Sequence, residues 1–170
     1  SDFNSLSSWA KSVLGKADFC YEILPALMQK LSDKDDTSEI LAIVEMKEQA
    51  YNFDNLKNPL FILFDRPSKK GNLGTIIRSA DALFVDQIFF TGHAVDIYDH
   101  NVITTSMGSF FKVPFKFIES NDEFENIVAN LKSRYKDFQV VATSLQANNS
   151  LNNCDFTKPT LLLVGNEAKG

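Results

Sequence analysis

The sequence predicts an α/β fold, a mostly parallel sheet with helices on both faces, preceded by a small α-rich amino-terminal segment. Three observations carry this. Short apolar runs of strand type recur from Leu60–Phe64 to Thr160–Val164. Stretches of helical periodicity separate them, and strands alternating with helices build parallel sheets covered on both faces. The composition is that of a globular domain, with 170 residues, 44% apolar and 23% charged, which can bury a core without cross-links.

In chain order, residues 8–31 read as helical, with Trp9, Val13, Leu14, Phe19, Ile23, Leu27 and Leu31 at the apolar positions. Pro25 either kinks this pattern or opens a second helix. Ser32–Ser38 reads as a polar turn, Ile40–Val44 as a short strand, and Lys47–Pro59 as a linker without pattern. The chain thus divides into an amino-terminal segment, 1–54, and a larger domain, 55–170. There Leu60–Phe64 is a strand and Asp65–Gly71 the loop after it. Leu73–Phe84 is a helix with Ile76, Ile77, Ala80, Leu83 and Phe84 on one face. A strand at Gln87–Thr91, a short helix at Asp99–Met107 and a strand at Val113–Ile118 follow. A helix at Asn121–Tyr135 turns Phe124, Ile127, Val128 and Leu131 inward, and strands at Phe138–Thr143 and Thr160–Val164 complete the sheet. Ligands of such sheets sit beyond the carboxyl ends of the strands, so chemistry is expected in the loops that follow strands.

The net charge of −5 argues, taken alone, against a nucleic-acid partner. Its distribution softens that: residues 55–116 carry Lys57, Arg66, Lys69, Lys70, Arg78, Lys112 and Lys116 against five acids, a net +2. Most of the fifteen phenylalanines fall in the strand runs and read as core. Cys20 and Cys154 are far apart and outside any metal-ligand spacing, which points to a reducing compartment. The expectation is cytoplasmic, or an organelle if a leader has been removed from ahead of Ser1. No apolar run approaches a membrane span, and His93 and His100 lack ligand-like spacing and read as surface residues. Neither a membrane nor a metal is expected.

Two loops carry the chemical signal. In the first, Gly71 and Gly74 flank Asn72 and would let the backbone turn tightly before a helix whose amino terminus could hold an anion. The spacing is neither a Walker loop nor a dinucleotide fingerprint. Arg78, beside Ile77 and Ala80, either reaches solvent, pairs with Asp81, or aims a cation at the sheet's active edge. In the second loop, a buried strand ends in Gly165-Asn166-Glu167, which suggests close approach of backbone to a ligand.

Together these stretches resemble the SpoU family of RNA 2′-O-ribose methyltransferases, within the SPOUT superfamily. The family's Asn-x-Gly-x-x-x-Arg-x-Ala motif is matched by Asn72-Leu-Gly74-Thr-Ile-Ile-Arg78-Ser-Ala80, and its Gly-(Ser/Asn)-Glu-x-x-Gly motif by Gly165-Asn166-Glu167-Ala-Lys-Gly170. Between them Thr105-Ser-Met-Gly108-Ser-Phe110-Phe-Lys-Val-Pro114 is similar to the family's Ser-x-Gly-(Ala/Ser)-x-Phe-x-x-Pro segment. The three occur in the family's order and cover roughly 55–170.

The resemblance implies a SPOUT-type domain with a trefoil knot and methyl transfer from S-adenosylmethionine to a ribose 2′-hydroxyl in transfer or ribosomal RNA. It implies catalytic roles for Arg78, Asn72 and Glu167: Arg78 favours the developing oxyanion, Asn72 positions catalytic groups or substrate, and Glu167 orients its neighbours. Thr143, Ser144 and Gly165 would contact the cofactor largely through backbone, with Leu145 and Val164 as apolar neighbours of the adenine. It further implies a homodimer whose sites are completed across the interface, supplied by helix 73–84 and Phe110–Phe111. Residues 1–54 would be part of a small substrate-recruiting domain, with Ile40–Val44 as its last strand. The family's third motif, Leu-Asn-Val-Ser, is not reached before Gly170, so the chain is expected to be a piece of a longer protein. Two alternatives stay open on the residues: a non-catalytic RNA-binding relative, and a nucleotide-binding α/β domain of another class.

Overall fold

A computed structural model describes residues 5–32, 37–46, 53–92 and 95–166. The chain forms two compact units, Ser1–Lys47 and Glu48–Gly170.

In the first unit, helix α1 (Ser8–Leu14) is capped by Ser7, whose hydroxyl accepts from the Ala10 N–H. The Ser7 N–H and Oγ donate in turn to the Glu39 carboxylate at 2.9 and 2.7 Å. Pro25 opens helix α2 (Pro25–Ser32), where its missing N–H costs nothing, and residues 15–24 are not helical. Ile40–Val44 is not a strand. An apolar run becomes a strand only where a neighbour takes its backbone hydrogen bonds, and the described residues of this unit offer none.

The second unit holds a five-stranded parallel sheet in the order β3-β2-β1-β5-β4. Its strands are β1 (Leu60–Asp65), β2 (Gln87–Thr91), β3 (Phe115–Ile118), β4 (Gln139–Ala142) and β5 (Thr160–Val164). Its helices are α3 (Lys70–Ala82), α4 (His100–Thr105) and α5 (Asn121–Arg134). The chain steps from β1 through β2 to the β3 edge, and α5 then carries it back across the whole sheet to β4. Right-handed crossovers that run in opposite directions place their helices on opposite faces. Accordingly Ile62, Phe64, Ile88 and Phe90 share one core with Leu73, Ile77 and Ala80 of α3 and Val102 of α4. Phe61, Leu63, Phe89 and Leu161 share the other with Ile127 and Leu131 of α5.

Phe53 joins this second core, and its carbonyl accepts from the Tyr135 hydroxyl at 2.5 Å. The 53–59 half of the expected linker is therefore tied to the sheet domain; residues 47–52 lie outside the described residues. α5 begins with Ser120, which accepts from the Glu123 N–H while the Glu123 carboxylate accepts from the Glu119 N–H. Not every phenylalanine is core: Phe19, Phe84 and Phe111 are exposed.

α3 starts three residues earlier than the sequence pattern implies. Gly71 and Asn72 lie in its first turn rather than in a loop before it. Gly74 is a packing residue. A β-carbon there would stand 2.7 Å from Thr105 Cβ and 2.8 Å from the Val102 carbonyl oxygen, so its absence lets α3 and α4 touch. Gly74→Ala is expected to lower stability by about 1–3 kcal/mol, the usual cost of overpacking. Gly71→Ala, with nothing within 4 Å of its would-be β-carbon, should be neutral or stabilising by about 0.5–1 kcal/mol. Urea unfolding of the two variants checks this, and equal midpoints would refute the close-packing role of Gly74.

The 105–114 segment clamps the far end of α3. Ser106 is buried, donating from Oγ to the Ile103 carbonyl and accepting from the Phe110 N–H. Gly108 turns the chain at φ +90° into a 3-10 turn, Ser109–Phe111. Ser109 Oγ and Lys112 Nζ both reach Asp81 Oδ2, at 2.7 and 3.2 Å.

Candidate active site

All five strands point their carboxyl ends at one edge, where an open cleft of about 590 Å³ lies. Its walls come from every strand end: Leu63 and Asp65 with Arg66, Thr91 with Gly92, Ile118 through Asn121, Ala142 with Thr143, and Leu163 through Gly165. Phe124 of α5 closes one side. Leu63, Ile118, Phe124 and Leu163 belong to the α5-side core, so the cleft has an apolar floor and a polar rim. That division suits a small organic ligand with charged ends, and the volume is that of small-molecule pockets.

Thr143, Val164 and Gly165 are brought together in this cleft. Thr143 is pinned to β5, both its N–H and Oγ1 donating to the Leu163 carbonyl at 3.0 and 3.1 Å. Ser144 and Leu145 are not among the lining residues. Ser144 Oγ instead accepts from the Gln146 N–H, and Leu145 is fully exposed.

Asn72 and Arg78 are also outside the cleft, because α3 packs on the other face of the sheet. Arg78 is exposed rather than set in an apolar surface, so its charge is solvated and carries no desolvation cost. The pairing with Asp81 left open by the sequence does not form, since Asp81 is taken by Ser109 and Lys112. Glu167, Gly170 and His93 lie outside the described residues. His100 is exposed at the start of α4, its Nδ1 4.0 Å from Asp99. Among the described residues, no group of three or more His, Cys, Asp or Glu side chains could hold a metal, and no helix is long and apolar enough to cross a membrane.

Arg66 is the site residue that sequence reasoning missed. It follows β1 with φ +43°, a left-handed conformation uncommon for a residue other than glycine. Its Nε donates to both Asp65 carboxylate oxygens at 3.0 Å, and Nη2 donates to Oδ2 at 2.7 Å. Thr91 Oγ1 donates to the same carboxylate at 2.5 Å. The bond from Arg66 holds the Asp65 carboxyl below the ordinary carboxylate range, partial burial opposes it, and the Thr91 bond adds to the lowering. A folded-state value below the unfolded one adds stability above the ordinary carboxylate range and loses it as pH falls through the depressed value. The pair should thus be intact at neutral pH, and a carbon-13 carboxyl titration of Asp65 should show a midpoint below that of an exposed aspartate. An ordinary midpoint would mean the pair is not formed in solution. The only signal in the sequence was a charged dipeptide directly after a buried strand.

Residues 59–170 match the SpoU rRNA Methylase family. The chain belongs to that family. A 23S rRNA (uridine(2479)-2′-O)-methyltransferase of Streptomyces viridochromogenes is 36% identical over 170 residues, 97% of this chain and 58% of that protein. The 23S rRNA (guanosine(2553)-2′-O)-methyltransferase RlmP of Bacillus subtilis is 25% identical over 89% of this chain and 57% of its own length. The crystal structure of the SpoU methyltransferase AviRb from S. viridochromogenes in complex with AdoMet superposes with a TM-score of 0.86 at 36% identity, covering 98% of this chain and 64% of that one. This SpoU chain therefore has the SPOUT fold, spans a little over half the length of the two curated relatives described above, and is not a nucleotide-binding domain of another class.

Proposed function

We propose that the protein transfers a methyl group from S-adenosylmethionine to a ribose 2′-hydroxyl of ribosomal RNA. One observation carries the reading: in a SpoU family member, Thr143, Val164 and Gly165 meet in a single cleft at the ends of all five strands. The apolar floor fits an adenosine and the polar rim fits an amino-acid moiety. When bound, the cofactor supplies an activated methyl on a sulfonium. The protein's own task is to align the hydroxyl and ease loss of its proton. Arg78 would lower the energy of the developing oxyanion, with Asn72 and Glu167 positioning the groups around it.

Within one chain Arg78 does not line the cleft, and α3 packs on the face of the sheet away from the α5-side residues that form the cleft's floor. We therefore assign Arg78 to the site of a second subunit in a homodimer. Leu83, Phe84 and Phe111 are exposed beside the Asp81–Ser109–Lys112 clamp and supply an apolar contact surface for it. The trefoil knot belongs to the same reading. A substrate-recruiting role for 1–54 and a cytoplasmic location complete it; the free thiols Cys20 and Cys154 fit a reducing compartment. Incubation with methyl-labelled cofactor and ribosomal RNA, followed by mapping of 2′-O-methyl positions, tests the reaction. Label at a ribose hydroxyl supports it. Cofactor binding with no transfer to ribosomal or transfer RNA would make the protein a non-catalytic relative.

A further inference from the structure

We infer that Arg66 binds a phosphate of the RNA strand at the mouth of the cleft and sets the register of the target nucleotide. This rests on the proposed reaction and names a contact for its substrate. Arg66 is the only cationic side chain among the described residues that line the cleft, and about half of that side chain is exposed.

Its placement is held from several directions. Asp65, itself held by the Thr91 hydroxyl, fixes one edge of the guanidinium, leaving Nη1 without a hydrogen bond among the described residues. The stem of Arg66 lies over Gly92, where a β-carbon would stand 2.5 Å from Arg66 Cγ and 3.0 Å from Cδ. The backbone is held as well, by a bond from Arg66 N–H to the Thr91 carbonyl and one from Asn166 Nδ2 to the Arg66 carbonyl at 2.7 Å. A left-handed non-glycine residue is strained and persists only where its surroundings over-determine it.

The outcome is a guanidinium presented with little rotamer freedom left to lose on binding, a geometry that favours planar two-point contact with phosphate. The amino terminus of α5 is a poor rival for the anion, because its first turn carries the carboxylates of Asp122 and Glu123 and the Glu123 N–H is taken by Ser120 Oγ. A polymer phosphate suits this half-exposed guanidinium, which a strand can reach from solvent without entering the cleft; the cofactor's carboxylate is the competing ligand that the two affinities separate.

The test measures binding of an in vitro transcript of large-subunit ribosomal RNA to the whole protein as salt is varied, beside calorimetric S-adenosylmethionine affinity. Arg66→Ala should weaken RNA binding roughly tenfold and flatten the plot of log affinity against log salt by about one phosphate contact. Cofactor affinity should stay as in the wild type. Arg66→Lys should keep the salt slope while recovering affinity only in part, since the charge remains and the fork is lost. An unchanged slope in Arg66→Ala overturns the proposal. So does a selective loss of cofactor affinity, which would give the guanidinium to the cofactor's carboxylate. RNA binding is read without turnover, so failure of the methyl-transfer reading would show separately, as wild-type protein that binds RNA but transfers nothing.

Discussion

Replacing Arg78 with alanine is expected to lower the methyl-transfer rate by about two orders of magnitude or more, the range for removing an oxyanion stabiliser. The side chain is exposed on α3 and makes no ion pair among the described residues, so its removal should change stability by no more than about 0.5 kcal/mol. Loss of activity would then be a loss of chemistry and not of fold. Cofactor affinity should barely move, because Arg78 does not line the cleft. Arg78→Lys should restore part of the rate. A normal rate in Arg78→Ala would remove the catalytic assignment. The shared-site reading has a sharper test, in which Arg78→Ala and Gly165→Val proteins are mixed and allowed to exchange subunits. One composite site in each mixed dimer is then intact and activity returns. Heterodimers that form yet stay inactive would show that Arg78 does not act across an interface.

Gly165→Val should abolish S-adenosylmethionine binding. Gly165 is half-buried at the end of β5 and forms wall of the cleft, directly after Val164 and beside the Thr143–Leu163 bonds that fix β4 to β5. A branched side chain there occupies ligand space, and the register of the adjoining strands leaves the wall little room to retreat. The residue belongs to neither buried core, so far-UV circular dichroism and the unfolding midpoint should stay near wild type. Unchanged cofactor affinity by calorimetry would place the pocket elsewhere.

The sheet could be read from the residues because a parallel strand covered on both faces must be a continuous apolar run between breakers. Gln87–Thr91 and Thr160–Val164 are such runs, and both have the bounds expected of them. Ile40–Val44 has the same local character and fails, since pairing is a property of two segments and no second one is supplied among the described residues of its unit. Family membership was legible in the ordered spacing of Asn72, Gly74, Arg78, Gly165 and Asn166, which survives without coordinates. Local pattern did not show that Gly74 serves the contact of α3 with α4, because a missing β-carbon has meaning only against what it would strike. Nor did it show that Arg78 is solvated and outside the cleft that Gly165 lines, which follows from the helix face and strand order of the folded sheet. Arg66 is the extreme case. A single arginine after a strand has no periodicity to detect, and its role arises where Asp65, Thr91, Gly92 and Asn166, far apart in sequence, converge on it. The sequence by itself determined the order of elements, the family and the loops that matter; the tertiary structure decided which of those loop residues share a surface, because that depends on strand order and helix face, which no local stretch encodes.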